Sequence, residues 1–166
     1  MQFYPQFKTI IYVNQPGKEV NKMNENCVMV FVTPQKSCAR LIEASAKIAE
    51  SKNTKLMVIS IVNNFDNKTT EALNELYAYV ESLNASMNLY VNNEAFLTAA
   101  VAVKRFHATE IVTGFPGEQS SMFVTNLHKL LPDIPITMVD ENGVEYKMIQ
   151  YTKEQLDEFR SGISLM

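Results

Sequence analysis

The chain has 166 residues, 46% of them hydrophobic, and a formal net charge of −3 at pH 7. That length suits one domain with a substantial core, and the composition excludes a disordered chain. The mixed charges exclude a strongly basic surface, so we predict no nucleic-acid partner. Because no apolar run approaches the roughly 20 residues of a membrane-spanning helix, we also predict no membrane partner.

Two cysteines, Cys27 and Cys38, are too few for a disulfide framework. The first residues lack the basic start and the apolar segment of a signal peptide. We therefore expect reduced thiols and a cytoplasmic location.

The sequence divides into three parts. Residues 1–26 form an N-terminal extension, in which the β-branched run at 8–13 predicts a strand. Residues 27–140 form the main domain. Residues 141–166 form a C-terminal extension, in which 144–151 alternate like a strand and a short helix follows. We expect the two terminal strands to pair with each other or with a second subunit.

Five apolar runs in the main domain alternate with helical patterns. The first run, residues 27–33, is apolar on both faces, as is typical of a parallel strand covered by helices on both sides. The other runs cover residues 55–62, 86–91, 110–114 and 134–139. Between the runs, apolar residues recur at helical spacing, most clearly over residues 73–83.

This alternation predicts a three-layer, Rossmann-like α/β fold with a five-stranded parallel sheet. Right-handed crossovers favour the strand order 3-2-1-4-5. We expect the third strand near one edge, and the fifth at an edge because Pro135 stands at its start. Ligands of such sheets bind in the crevice where the winding reverses, which here lies between strands 1 and 4.

Two loops border that predicted crevice. The residues that we expect to line it are Thr33, Pro34, Lys36 and Ser37 from the first loop, and Gly114, Gly117, Ser120 and Ser121 from the second. Glycines let backbone N–H groups approach a phosphate, and the N–H groups at a helix N-terminus attract anions. Without a ligand, the same glycines would form a tight turn with positive φ, and the serines would cap helices.

Residues 30–42 resemble the universal stress protein fold. They are most similar to the stress-protein-like domain of Kdp-type potassium-sensing histidine kinases. In those domains a strand leads into a short Ser/Pro loop and a helix with the pattern Ser-x-x-Arg-Leu-Ile, which here spans residues 37–42. Residues 131–139 are also similar, and the resemblance extends over residues 27–140.

Many universal stress proteins bind ATP or a related adenine nucleotide. The resemblance implies such a ligand here, with Val62 as a candidate adenine contact. The family's fingerprint is Gly-x-x-Gly, a nine-residue spacer, and then Gly-Ser or Gly-Thr. Gly114 and Gly117 match the first half, whereas Leu127 and His128 stand where the second half belongs. The second half is therefore missing, unless the two serines of the loop replace it.

Three functions follow from these patterns. The first is a cytoplasmic, stress-response-type regulatory module, in which a bound nucleotide shifts a homodimer or a protein partner without chemistry. The second is a ligand-free dimeric interaction protein that has lost the site. The missing Gly-Ser favours the second, as does the absence of the family's usual acidic residue at Thr33 and Pro34.

The third function is an enzyme or carrier, such as a nucleotide hydrolase or a flavodoxin-like protein. The first loop has no glycine to cradle a flavin phosphate, and no Ser-His-Asp set, paired carboxylates or metal-ligand spacing is visible. We therefore predict that the chain is not an enzyme, with no catalytic residue and no metal site.

Overall fold

The computed structural model describes residues 25–64, 66–115, 121–148 and 153–164. The elements in these ranges, in chain order, are β1 (Cys27–Val32), a 3-10 turn (Lys36–Cys38), α1 (Ala39–Ser51), β2 (Lys55–Val62), α2 (Asn67–Ser82), β3 (Ser86–Val91), α3 (Ala95–Arg105), β4 (Ala108–Gly114), α4 (Ser121–Leu130), β5 (Ile136–Val139), β6 (Glu145–Met148) and α5 (Lys153–Ser164). The predicted strand at residues 8–13 lies outside the described residues. Of the described helices, none has the length and apolar character needed to cross a membrane.

The described strands form one sheet with the order β3-β2-β1-β4-β5-β6. β1 to β5 run parallel, and β6 is antiparallel to β5. The predicted three-layer α/β fold and the order 3-2-1-4-5 are confirmed. β3 lies at an edge of this sheet, as expected.

β5 is not an edge strand, so that prediction was wrong. It pairs with β4 on one side and with β6 on the other. Pro135 stands before the strand, and its carbonyl oxygen accepts a hydrogen bond from the Ile111 amide at 2.9 Å. A proline in that position removes no donor from the β5–β6 ladder, and therefore does not require an edge.

The C-terminal strand thus joins the main sheet through β5. A tight turn connects the two strands, and one carboxylate oxygen of Asp140 accepts hydrogen bonds there from the amides of Asn142 and Val144, at 2.8 and 2.9 Å. β5 occupies one edge of β6. Whether residues 8–13 pair with this strand stays a prediction, since they lie outside the described residues.

Gly143 lies in the same turn with φ +79°, in the left-handed region. We expect Gly143→Ala to lower the free energy of unfolding by about 1 kcal/mol, because a side chain disfavours that backbone conformation. Urea denaturation measures the loss. Gly162→Ala on α5 is the matched control, because an added Cβ meets no atom within 4 Å at either position. Equal losses in the two variants would contradict the assignment to backbone strain.

Two apolar layers cover the faces of the sheet. The first packs against α1 and α2 and includes the fully buried Ile42 and Leu73. The second packs against α3 and α4 and includes the fully buried Ile111 and Leu127. Burial of these side chains is the main favourable term in folding, and it holds the carboxyl ends of the strands in a fixed arrangement.

Candidate ligand-binding site

A cavity of about 410 Å³ opens at the carboxyl ends of β1 and β4. This is the crevice that the strand order predicts. The residues that line it are Phe31, Val32, Thr33, Gln35, Cys38, Arg40, Leu41, Ile61, Ala95, Thr113, Gly114, Phe115, Phe123 and Val124. Its size falls within the range of small-molecule sites, which are mostly apolar with a few placed polar groups.

Two of the predicted site residues line this cavity. Thr33 follows β1, and Gly114 is the last residue of β4. Gly114 does not have a positive φ, and a Cβ built on it would make an ordinary contact of 3.6 Å with Leu41 Cδ1. This position therefore does not need glycine for a strained turn. Because Gly114 has no side chain, its backbone is accessible from the cavity.

The other predicted site residues of the first loop do not line the cavity. Lys36 makes an ion pair of 2.9 Å with Glu75 on α2, and hydrogen bonding to that carboxylate raises the pKa of the lysine. Ser37 is exposed within the 3-10 turn and does not cap α1, which begins at Ala39. Pro34 is half-buried in the loop but is not a lining residue.

The second loop is only partly described. Gly117 and Ser120 lie outside the described residues, as does the side chain of Ser121, whose backbone begins α4. Their role stays a prediction. Val62 is described, and it packs into the core against α1 and α2. Its neighbour Ile61 points to the opposite face of the sheet and lines the cavity.

Arg40 also lines the cavity, although it was not among the residues predicted from the sequence. It lies in the first turn of α1, and its Nη1 donates to the Val139 carbonyl oxygen at 3.4 Å. Among the described lining residues it has the one charged side chain. A guanidinium carries five N–H donors in a planar fork, so this one long contact within the described part of the chain leaves most of them for a ligand. The signal was its place on the first turn of the helix that follows β1.

Aromatic rings form the opposite wall. The rings of Phe31 and Phe123 meet edge to face, with centroids 5.8 Å apart. Phe115 follows β4 and is about half exposed at the rim. Such a wall offers flat apolar surface to a ring system, whereas Arg40 offers charge to an anion.

The polar groups of the cavity are few and mostly neutral. Thr33, Gln35 and Thr113 contribute them, and the Thr33 hydroxyl lies 3.4 Å from the Cys38 thiol. The described lining includes no His, Asp or Glu. In the part of the chain that the structure describes, no cluster of three His, Cys, Asp or Glu residues is suited to hold a metal ion.

No family model matches the chain, and no curated protein matches it. A solved structure of a universal stress protein family member from Burkholderia pseudomallei has a similar fold, with a TM-score of 0.52 and 15% identity over 68% of this chain and 94% of that one. The zinc-inhibited form of teicoplanin deacetylase Orf2 is also similar, with a TM-score of 0.54 and 9% identity over 76% of this chain and 73% of that one. At these identities the likeness shows a shared fold.

Proposed function

We propose that this chain is a regulatory module of the universal stress protein type, acting in the cytoplasm. It binds an adenine nucleotide, or a related phosphate-bearing ligand, in the cavity at the ends of β1 and β4. The Arg40 guanidinium and the aromatic wall of the same cavity carry this proposal. Arginine binds phosphate oxygens through paired N–H donors, and aromatic rings accept the flat face of a base.

The aromatic wall of the cavity fits the base of a nucleotide, and the charged side fits its phosphate. The base lies beside Phe31, Phe123 and Ile61, and the phosphate lies beside Arg40 and the open backbone of Gly114. The sequence resemblance supports the same ligand class, since many universal stress proteins bind ATP or a related adenine nucleotide. Arg40 belongs to the Ser-x-x-Arg-Leu-Ile pattern that is most similar to Kdp-type stress domains. That closer link to sensor kinases is part of the proposal.

The residues of the described cavity lining favour ligand binding without a chemical reaction. Hydrolysis of a phosphoanhydride needs a positioned base or a metal ion, and the described lining supplies no carboxylate or imidazole for either. The likeness to a deacetylase concerns the fold and carries no activity to this chain.

A ligand-free interaction protein is the second candidate function, and Leu127 favours it. This residue of α4 stands where the family's fingerprint has its third glycine, in the Gly-Ser half, and its side chain is completely buried in the apolar layer between the sheet and the helices α3 and α4. That part of α4 therefore packs the domain instead of presenting backbone N–H groups to a phosphate.

Ligand-induced stabilisation of the full chain separates the two functions. We expect ATP, AMP or a cyclic dinucleotide to raise the free energy of unfolding by about 2.7 kcal/mol at a concentration of 100 Kd. Adenosine, which lacks the phosphate, is the matched control and should stabilise much less. No shift with any of these ligands at millimolar concentration would reject the nucleotide site and leave the interaction protein. Tight binding of FMN alone would point to a flavin carrier.

A further inference from the structure

The outer edge of β6 carries backbone hydrogen-bonding groups that no described strand pairs with. Three of its four residues are exposed, and Met148 is half-buried. The Asp140 amide donates to the Val144 carbonyl oxygen at 3.0 Å, which makes that pair a hydrogen-bonded one. Antiparallel ladders alternate, so the backbone groups of Tyr146 also face β5. Those of Glu145 and Lys147 consequently point outwards, and such an edge is a template for another strand.

We propose that this edge pairs with β6 of a second copy of the chain, antiparallel, about a twofold axis at Tyr146. Outward-facing residues meet one another only if the axis passes through a residue, not between two residues. An axis at Glu145 or at Lys147 sets two like charges directly opposite each other. The axis at Tyr146 instead sets Glu145 of each copy opposite Lys147 of the other, which makes two complementary pairs.

The same register also matches the apolar residues. It sets Tyr146 opposite the same residue of the second copy, and it sets Val144 opposite Met148. Val144 and Tyr146 are 48% and 43% exposed, and the pairing covers both. Phe115 enlarges this surface, because its ring packs edge to face on Tyr146 with centroids 4.9 Å apart. Cross-strand aromatic pairs and opposite charges both stabilise a sheet.

The length of the ladder sets the expected strength of this dimer. A pairing over residues 144–148 is short, and specific stable interfaces bury roughly 1,200–2,000 Å². We therefore expect a reversible dimer whose fraction rises with protein concentration. Sedimentation velocity of the full chain over a concentration series measures it.

Charge reversal tests the register. Glu145→Lys and Lys147→Glu each replace two complementary pairs by two like-charge pairs, so each should weaken the dimer about tenfold or more. The double variant restores both complementary pairs in reversed order and should recover the dimer. Glu50→Lys, an equal charge change at an exposed site on α1, is the matched control and should leave the dimer unchanged.

The possible outcomes decide between pairing modes. Weakening by each single reversal with recovery in the double variant supports the proposed register. A chain that stays monomeric at all concentrations overturns the proposal, as does a dimer that neither single reversal weakens. Loss of the dimer in the double variant as well would reject the axis at Tyr146. All of the substituted side chains are exposed, so the fold is retained, and circular dichroism checks this.

Discussion

Replacing Lys52 by alanine is expected to lower the free energy of unfolding by about 3 kcal/mol. Lys52 follows α1, and its ammonium forms an ion pair with Glu110 on β4. Glu110 is only 2% exposed, and its other carboxylate oxygen accepts a hydrogen bond from the Thr137 hydroxyl at 2.9 Å. Without Lys52, a buried carboxylate keeps one neutral donor and loses its counter-charge. The lysine side chain is 46% exposed, so in the variant water partly solvates the Glu110 carboxylate. The expected loss is therefore at the low end of the roughly 3–5 kcal/mol that removing one partner of a buried ion pair costs.

Lys47→Ala, on the helix that Lys52 follows, is the matched control. Lys47 pairs with Glu43 across one turn at 3.4 Å, with both side chains exposed, and such pairs contribute about 0.5 kcal/mol or less. Adding Glu110→Gln to Lys52→Ala removes the buried charge and should recover most of the lost stability. Urea denaturation measures all three variants. If the two lysine substitutions lowered the free energy of unfolding equally, the buried Glu110 carboxylate would not need Lys52 more than the exposed Glu43 needs Lys47.

The central sheet was predictable because a strand that is buried on both faces has a continuous run of apolar residues. All six residues of β1 are buried, and the sequence is apolar throughout that run. Handedness of the crossovers then orders the strands with few alternatives. The place of β6 was missed although a signal existed. Asn142-Gly143 stands between the apolar run at 134–139 and the alternating residues at 144–151. This is a strong hairpin signal, and it favours pairing of β6 with β5.

The position of the cavity followed from topology, but the charged residue that lines it did not. Which side chain faces the cavity depends on the conformation of the segment between β1 and α1, because that segment sets the rotation of the first turn of α1. A 3-10 turn over Lys36–Cys38 stands there, where we expected Ser37 to cap a helix. That turn directs Lys36 to Glu75 and leaves Arg40 at the cavity. Local propensity does not encode this choice, because a short turn gains most of its stability from the contacts around it.

Replacing Arg40 by alanine is expected to weaken ATP binding roughly tenfold or more. A hydrogen bond to a charged group contributes about 1.5–3 kcal/mol, and each 1.4 kcal/mol corresponds to a factor of ten. Arg40 lines the cavity, and among the described residues its guanidinium makes one long hydrogen bond, to the Val139 carbonyl oxygen. Isothermal titration calorimetry measures the affinity directly.

Lys36→Ala is the control that separates contact from general electrostatics. This substitution also removes one positive charge, four residues from Arg40. In the wild type the Lys36 ammonium pairs with Glu75, away from the cavity. Attraction of ATP by overall charge would make the two variants equally weak, and added salt would reduce both effects. Direct binding of the phosphate predicts a loss for Arg40→Ala alone, with adenosine affinity unchanged. Equal ATP affinity in the wild type and Arg40→Ala would remove this arginine from the site, because a desolvated phosphate contact cannot be lost without a measurable change in affinity.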